Sequence, residues 1–151
     1  VLDLEAEGRL CRLLATAASR KLLSSAHDTS EGGLAVALAE CAIAGRLGAT
    51  LSIDYGCGDS GPAPDRFLFS ESGARALVTL GQSRLGEFLA LAASLNVPAV
   101  AVGRVGGDRL CVEFVEAAGT RAGAGAERRL DVSVDALSKA YEEAIPCAMQ
   151  G

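Results

Sequence analysis

Segments with helical and strand periodicity interleave along this chain, but they do not alternate one for one. Apolar residues recur every three to four positions in segments that predict helices over residues 3–22, about 30–44, 85–95 and 134–144. Apolar runs, continuous or alternating, predict strands over residues 49–54, 75–80, 99–105, 110–115 and 130–134. This order lacks the strict βαβ alternation of a doubly wound sheet. The sequence therefore predicts an α+β fold, a layered α/β domain with a mixed sheet of about four to six strands flanked by helices.

Composition narrows the class of protein further. The 151 residues, 50% of them apolar, suffice for a sizeable core, so we expect residues 1–151 to form a single domain. Aromatic residues make up only 4%, Trp is absent and the net charge is −5, which argues against a nucleic-acid partner. No apolar run reaches the roughly 18–20 residues that span a bilayer, so we expect no membrane partner.

The 5 cysteines are widely spaced and form no CxxC pair. This pattern argues against a zinc site or a disulfide framework and favours a reducing cytoplasm. Cys11, Cys41 and Cys111 stand among apolar neighbours, so we expect them to be small core residues.

Glycine, proline and small polar residues predict the breaks between these elements. We expect an interruption at residues 24–30, an exposed loop at 55–66, a hairpin-like turn at 106–108 and a loop at 117–128. Pro146 is expected to end the last helix.

Residues 27–34, His-Asp-Thr-Ser-Glu-Gly-Gly-Leu, join a turn to a predicted helix N-terminus, where unpaired N–H groups attract anions. The candidate site residues in this run are His27, Asp28, Ser30, Glu31, Gly32 and Gly33. Residue chemistry alone favours a simpler alternative, in which Asp28 or Ser30 caps the helix and the glycines serve packing. His27 is the only histidine, and no cysteine stands near it in sequence, so no metal site is expected.

Residues 68–75, Leu-Phe-Ser-Glu-Ser-Gly-Ala-Arg, place polar residues between two apolar runs. N–H groups of such a turn, together with a guanidinium, can bind phosphate. The candidate phosphate- or ligand-binding residues are Ser70, Glu71, Ser72, Gly73 and Arg75. The alternative is a strand connection with a surface ion pair between Arg75 and Glu71, and the motif alone does not decide between them. Without a GxSxG elbow or a second histidine, no catalytic residue is assigned.

These runs resemble the phosphoribosylformylglycinamidine synthase family of purine biosynthesis. Residues 27–40 are similar to a long motif in the C-terminal half of that family. Residues 68–78 are similar to its FGES-type loop, with Ser70 in place of the usual glycine, and residues 141–146 resemble the C-terminus of its stand-alone form. The resemblance spans nearly the whole chain and implies a layered α+β domain with a mixed sheet. The wider superfamily includes aminoimidazole ribonucleotide synthetase and selenophosphate synthetase.

The resemblance also implies a function. The family is an ATP-dependent ligase of the amidotransferase class, which makes formylglycinamidine ribonucleotide from formylglycinamide ribonucleotide, ATP and glutamine-derived ammonia. This chain resembles the second C-terminal domain, without the N-terminal domains that mainly hold ATP and magnesium. We therefore expect no tightly bound cofactor and no activity from the chain alone.

The implied partners are the missing N-terminal domains, a glutaminase and small accessory subunits, all in the cytoplasm. A homodimer of the chain is a further expectation, because an alanine- and leucine-rich domain of this size leaves apolar surface exposed.

Two other functions stay open on the sequence. One is a C-terminal domain of another ATP-dependent member of the superfamily, such as selenophosphate synthetase, although the paired-glycine motif and the Ile-Pro ending argue against it. The other is a free-standing module that binds phosphates or a partner without catalysis.

Overall fold

Contacts between Cα atoms divide the chain into two compact units. The first consists of Val1–Ala37 and Phe69–Ala101, and the second of Leu38–Leu68 and Val102–Gly151. The structure is a computed structural model, and it describes residues 3–54, 64–71, 73–115 and 129–149. The organisation of residues 1–151 as one domain stays a prediction.

Helices and strands are mixed along the described residues, as an α+β fold requires. The helices are α1 (Leu4–Ser19), α2 (Gly33–Gly45), α3 (Pro64–Phe69), α4 (Leu85–Ser94) and α5 (Val134–Met149). The strands are β1 (Ser25–Asp28), β2 (Ala49–Asp54), β3 (Ala76–Thr79), β4 (Gly103–Val105), β5 (Arg109–Val115) and β6 (Arg129–Ser133). A 3₁₀ turn, Gln82–Arg84, leads into α4.

The core of the first unit lies between α1 and α4. Helix α1 begins at a side-chain cap, because the Asp3 carboxylate accepts a hydrogen bond from the Ala6 N–H at 2.9 Å. Its apolar face then packs against α4. The buried residues of this core are Leu13, Ala17, Leu22, Phe88, Leu91 and Ala92. Ala17 and Ala92 are fully buried, and their small side chains suit a close approach of two helices.

The break expected at residues 24–30 contains a strand. Strand β1 pairs antiparallel with β3, with Ser25 opposite Thr79 and Asp28 opposite Ala76. Its residues are exposed or half-buried. The strand therefore has no apolar alternation that the sequence could display, and it is held by backbone pairing with β3 and by a hydrogen bond between the Ser25 and Thr79 hydroxyls at 2.6 Å.

The second unit contains a four-stranded mixed sheet in the order β4-β2-β5-β6. Strands β2 and β5 are parallel, and the other pairs are antiparallel. Leu51 and Ile53 are buried on one face of the sheet, while Thr50 and Ser52 are exposed on the other. The predicted α+β fold with a mixed sheet is thus confirmed.

The turn at residues 106–108 is not a hairpin, because β2 lies between β4 and β5. Gly48, just before β2, is hydrogen-bonded to this turn. Its N–H donates to the Gly107 carbonyl and its carbonyl accepts from the Gly106 N–H, both at 2.8 Å. A Cβ on Gly48 would meet the Arg109 backbone, so glycine is required there. The expected strand at residues 99–105 is limited to β4.

Two further expectations need correction. Residues 64–66, expected in a loop, begin α3, while residues 55–63 and 117–128 lie outside the described residues. Helix α5 continues past Pro146 to Met149. Across the described ranges, no helix has the length and the apolar character to cross a membrane.

Cys11, Cys41 and Cys111 are not core residues, contrary to expectation. Cys11 is exposed, because it lies off the face of α1 that carries Leu13 and Ala17. Cys41 and Cys111 are half-buried. Burial, helped by the nearby Glu40 charge, raises the pKa of the Cys41 thiol.

Candidate functional site

The two sequence runs singled out above meet because β1 pairs with β3. The last residue of β1, Asp28, lies opposite the first residue of β3, Ala76, at one end of the two-stranded sheet. Contacts continue beyond the strands, since Thr29 is buried and donates to the Arg75 carbonyl from its N–H at 3.3 Å and its hydroxyl at 3.4 Å. The residues that precede α2 therefore face the turn formed by residues 70–75, which we call the 70–75 turn. Ser72 of this turn lies outside the described residues.

The paired glycines before α2 are required by the backbone. Gly32 and Gly33 have φ angles of +74° and +68°, in the left-handed region that favours glycine. A Cβ on Gly32 would overlap the Val36 side chain. Because α2 begins only at Gly33, the expectation that Asp28 or Ser30 caps it is wrong: Asp28 ends β1, and the Ser30 backbone carbonyl accepts the Gly33 N–H.

Glu71 joins the two runs. Its carboxylate oxygen Oε1 accepts a hydrogen bond from the Gly32 N–H at 3.1 Å. This places a negative charge at the N-terminal end of α2, where the helix dipole favours one. The protein's own carboxylate therefore occupies a position where an external anion was one of the two interpretations left open by the sequence.

Glu7 of α1 holds the other side of the 70–75 turn. Its Oε1 accepts a hydrogen bond from the Ala74 N–H at 2.5 Å. Ala74 has a φ of +55°, unusual for a residue with a side chain, and a Cβ on Gly73 would lie 2.7 Å from the same carboxylate oxygen. Sequence reasoning missed Glu7, because an acid in the first turn of a helix already has an explanation in the helix dipole.

Arg75 holds the turn from within. Its Nη2 donates to the Ser70 carbonyl at 3.0 Å and to the Ser70 hydroxyl at 2.7 Å. Arg75 and Ser70 are both half-buried. The guanidinium thus contacts the start of its own turn, and Glu71 contacts Gly32, instead of the simple Arg75–Glu71 surface pair considered from the sequence.

The remaining residues of the first run are arranged more loosely. His27 Nδ1 lies 2.6 Å from the Asp28 carbonyl oxygen and 3.8 Å from the Asp28 carboxylate. Ser30 and Glu31 are exposed. Their part in ligand binding stays a prediction.

The geometry decides what the 70–75 turn can do chemically. Two backbone N–H groups, those of Gly32 and Ala74, already donate to the protein's own carboxylates. An external phosphate would gain the Gly32 donor only by displacing Glu71, and the Ala74 donor only by displacing Glu7. The Arg75 guanidinium supplies positive charge beside the turn.

No metal centre accompanies this site in the described part of the chain. There, no group of three or more His, Cys, Asp or Glu side chains is close enough to bind a metal ion.

A second cluster of charges lies on β5 and β6 in the other unit. Asp131 accepts from Arg109 Nε at 2.6 Å and from Arg129 Nη2 at 2.9 Å, and the Cys111 thiol donates to it at 3.4 Å. The hydrogen bond from Arg109 holds the pKa of Asp131 below its ordinary value, and the thiol and both guanidinium charges act in the same direction. Sequence reasoning missed this cluster because only the strand register brings Cys111 opposite Asp131.

The chain is similar in sequence to proteins of a known family. The family model described as "AIR synthase related protein, C-terminal domain" matches residues 1–115. The phosphoribosylformylglycinamidine synthase subunit PurL of Thermoanaerobacter pseudethanolicus is 41% identical over 112 residues, covering 74% of this chain and 15% of that protein. The PurL subunit of Synechococcus sp. (strain WH7803) is 38% identical over 144 residues, covering 95% of this chain and 18% of that protein.

A solved structure, Thermotoga maritima PurL complexed with ATP, is similar in fold. The TM-score is 0.72 at 23% identity, over 91% of this chain and 22% of that chain. This chain spans less than a fifth of the length of the PurL subunits from T. pseudethanolicus and Synechococcus.

Proposed function

The chain belongs to the family of AIR synthase related protein C-terminal domains, and on that premise we propose that it functions as one domain of a phosphoribosylformylglycinamidine synthase. The complete enzyme would convert formylglycinamide ribonucleotide to formylglycinamidine ribonucleotide with ATP and glutamine-derived ammonia. It would do so in the cytoplasm, as a ligase of the amidotransferase class. Among the copies of this domain type in such an enzyme, we assign the chain to the second C-terminal domain.

The observation that carries this proposal is the contact between Glu71 and Gly32. It joins the two sequence runs on which the family resemblance rests, although 39 positions separate them. PurL subunits match this chain at 34–42% identity over 106–154 residues, so the joined runs belong to a shared domain and not to an isolated motif.

Within the enzyme, the role proposed for this domain is to present the 70–75 turn to a phosphate-bearing ligand. Arg75 supplies positive charge, Glu71 and Gly73 set the shape of the turn, and the Ser72 hydroxyl is a proposed donor to the ligand. The solved structure of T. maritima PurL complexed with FGAR, which matches this chain at 22% identity, supports a phosphate ester as the ligand class for the enzyme as a whole.

The described residues do not fit a magnesium site. Within them, no cluster of potential metal ligands exists. The ATP-bound form of T. maritima PurL supports ATP use by the whole enzyme. We therefore assign magnesium and the ATP phosphates to N-terminal domains, with glutaminase and small accessory subunits as further partners, and no step of the reaction is assigned to this chain.

A graft tests the proposal directly. The matching segment of T. pseudethanolicus PurL is replaced by this chain, and the hybrid is assayed for formylglycinamidine ribonucleotide and for growth of a purine auxotroph. We expect both activities, whereas the 151-residue chain alone should neither hydrolyse ATP nor make product.

Two controls make the result decisive. A parallel graft into selenophosphate synthetase should be inactive, since that enzyme is the alternative parent. A folded, soluble PurL hybrid that neither makes product nor supports growth would contradict the proposal.

A further inference from the structure

We propose that Glu7 is a positioning residue that presets the 70–75 turn for an anionic ligand. The inference rests on the proposed function, in which this turn meets a phosphate ester. Glu7 lies on α1, more than sixty positions from the turn in sequence, and it belongs to neither of the runs that the sequence singles out.

The first support is a hydrogen bond of a charged group. Glu7 Oε1 accepts from the Ala74 N–H at 2.5 Å, and this contact is half-buried. A charged acceptor makes a stronger hydrogen bond than a neutral one, and partial burial strengthens it further. The carboxylate thus stabilises one orientation of the Ala74 peptide.

The second support is the conformation that this bond stabilises. Ala74 has a φ of +55°, where a residue with a Cβ is disfavoured. The neighbouring Gly73 leaves room for the carboxylate, because a Cβ there would lie 2.7 Å from Glu7 Oε1. Residue type at 73 and backbone angle at 74 both fit the presence of Glu7.

Charge and positioning predict opposite results for anion binding. A carboxylate beside an anion site repels the anion, so its removal should tighten phosphate binding if charge alone matters. If Glu7 acts by holding Ala74, its removal should loosen the turn and weaken phosphate binding. The sign of the change therefore separates the two roles.

The first measurement follows the Ala74 amide by NMR in the 151-residue chain. Glu7→Ala should speed hydrogen exchange at Ala74 by about tenfold, while Glu7→Gln, which keeps an acceptor oxygen, should restore much of the protection. Glu5→Ala is the matched control, because Glu5 lies two residues earlier in the same first turn of α1 and pairs with Arg9 at the surface, with its side chain 90% exposed. Unchanged Ala74 protection in Glu7→Ala would overturn the proposal.

The second measurement titrates inorganic phosphate into the same proteins. Glu7→Ala should bind phosphate about fivefold more weakly than the wild type, the loss expected for one hydrogen bond of the turn. Gly73→Ala, which leaves every charge in place but displaces the carboxylate, should give a similar loss. The double variant should lose no more than either single variant, because both changes remove the same contact.

Each outcome of the titration decides the question. Equal or tighter phosphate binding by Glu7→Ala would show that charge dominates and would overturn the positioning role, as would additive losses in the double variant. Absence of phosphate binding by the folded wild type would overturn the role of the turn as an anion site. None of these results bears on the hybrid enzyme assay, which tests the proposed function separately. Should Glu7→Ala not fold, Glu7→Gln and Gly73→Ala provide the comparison.

Discussion

The 70–75 turn and the charged cluster on β5 and β6 are built from the same kinds of side chains, but they use them differently. In the turn, Glu7 and Glu71 accept from backbone N–H groups and Arg75 donates to a backbone carbonyl. In the cluster, Arg109 and Arg129 donate to the side chain of Asp131.

A side chain bonded to the backbone restrains φ and ψ, whereas an exposed ion pair restrains only other side chains. The carboxylates of Glu7 and Glu71 therefore restrain the backbone at the proposed anion site. Those of the cluster modify a surface that the sheet already determines. The following substitutions test this difference, from the largest expected effect to the smallest.

Gly32→Ala should destabilise the chain most. It introduces a Cβ at a φ of +74° and into the Val36 side chain, for which strain and overlap together predict a loss of about 2–4 kcal/mol in the free energy of unfolding. Gly8→Ala is the control, because Gly8 lies inside α1 with nothing near its Cβ position. This variant should have a free energy of unfolding about 0.5–1 kcal/mol higher than the wild type. Urea unfolding of both variants makes the comparison, and equal effects would contradict the conformational argument.

Arg75→Ala should affect both stability and anion binding. The loss of the bonds to Ser70 predicts about 1–2 kcal/mol of destabilisation, and the loss of a charged donor predicts phosphate binding weaker by about 1.5–3 kcal/mol. Arg12→Ala serves as the control, since Arg12 is exposed and its Nε donates to the Gly8 carbonyl at 3.4 Å. Phosphate titrations that are identical for Arg75→Ala and the wild type would remove the anion site from this turn.

Glu71→Ala should lower the free energy of unfolding by about 0.5–1.5 kcal/mol, through loss of the hydrogen bond to Gly32. The loss stays small because the exposed Gly32 N–H regains a partner in water. Glu71→Gln should cost less, since an acceptor oxygen remains. Asp131→Ala, in the cluster, should shift the urea midpoint less than Glu71→Ala does, because its partners are exposed guanidinium groups. The reverse order would break the distinction between backbone restraint and surface pairing.

The contribution of the charged cluster on β5 and β6 to stability should depend mainly on pH. The folded pKa of Asp131 is lowered, so its stabilising contribution is complete above its unfolded pKa and is lost as the pH falls below about 4. Asp131→Asn should therefore differ most from the wild type near neutral pH, and the difference should shrink in acid. Urea midpoints at several pH values measure this, and a difference that grows in acid would contradict the assigned shift.

Much of the fold was predictable from periodicity. Helices α1 and α4 have an apolar face that recurs at helical spacing, and β2 alternates between buried and exposed residues. Strand β1 was not predictable, because its residues are exposed or half-buried and therefore show no alternation of apolar side chains. The sequence also could not predict that residues 106–108 do not form a hairpin, because the position of β2 between β4 and β5 is a property of the whole sheet.

Of the candidate site, the sequence by itself indicated the two candidate runs: glycines at 32 and 33 and the polar turn near Arg75 are local signals, because they reflect backbone angles and turn chemistry at those positions. Only the tertiary structure decided that these runs meet, that Glu71 fills the position expected for an external anion, and that Glu7 supports Ala74. The physical reason is that a hydrogen bond between residues more than thirty positions apart depends on strand pairing and helix placement, and no local pattern of residues records it.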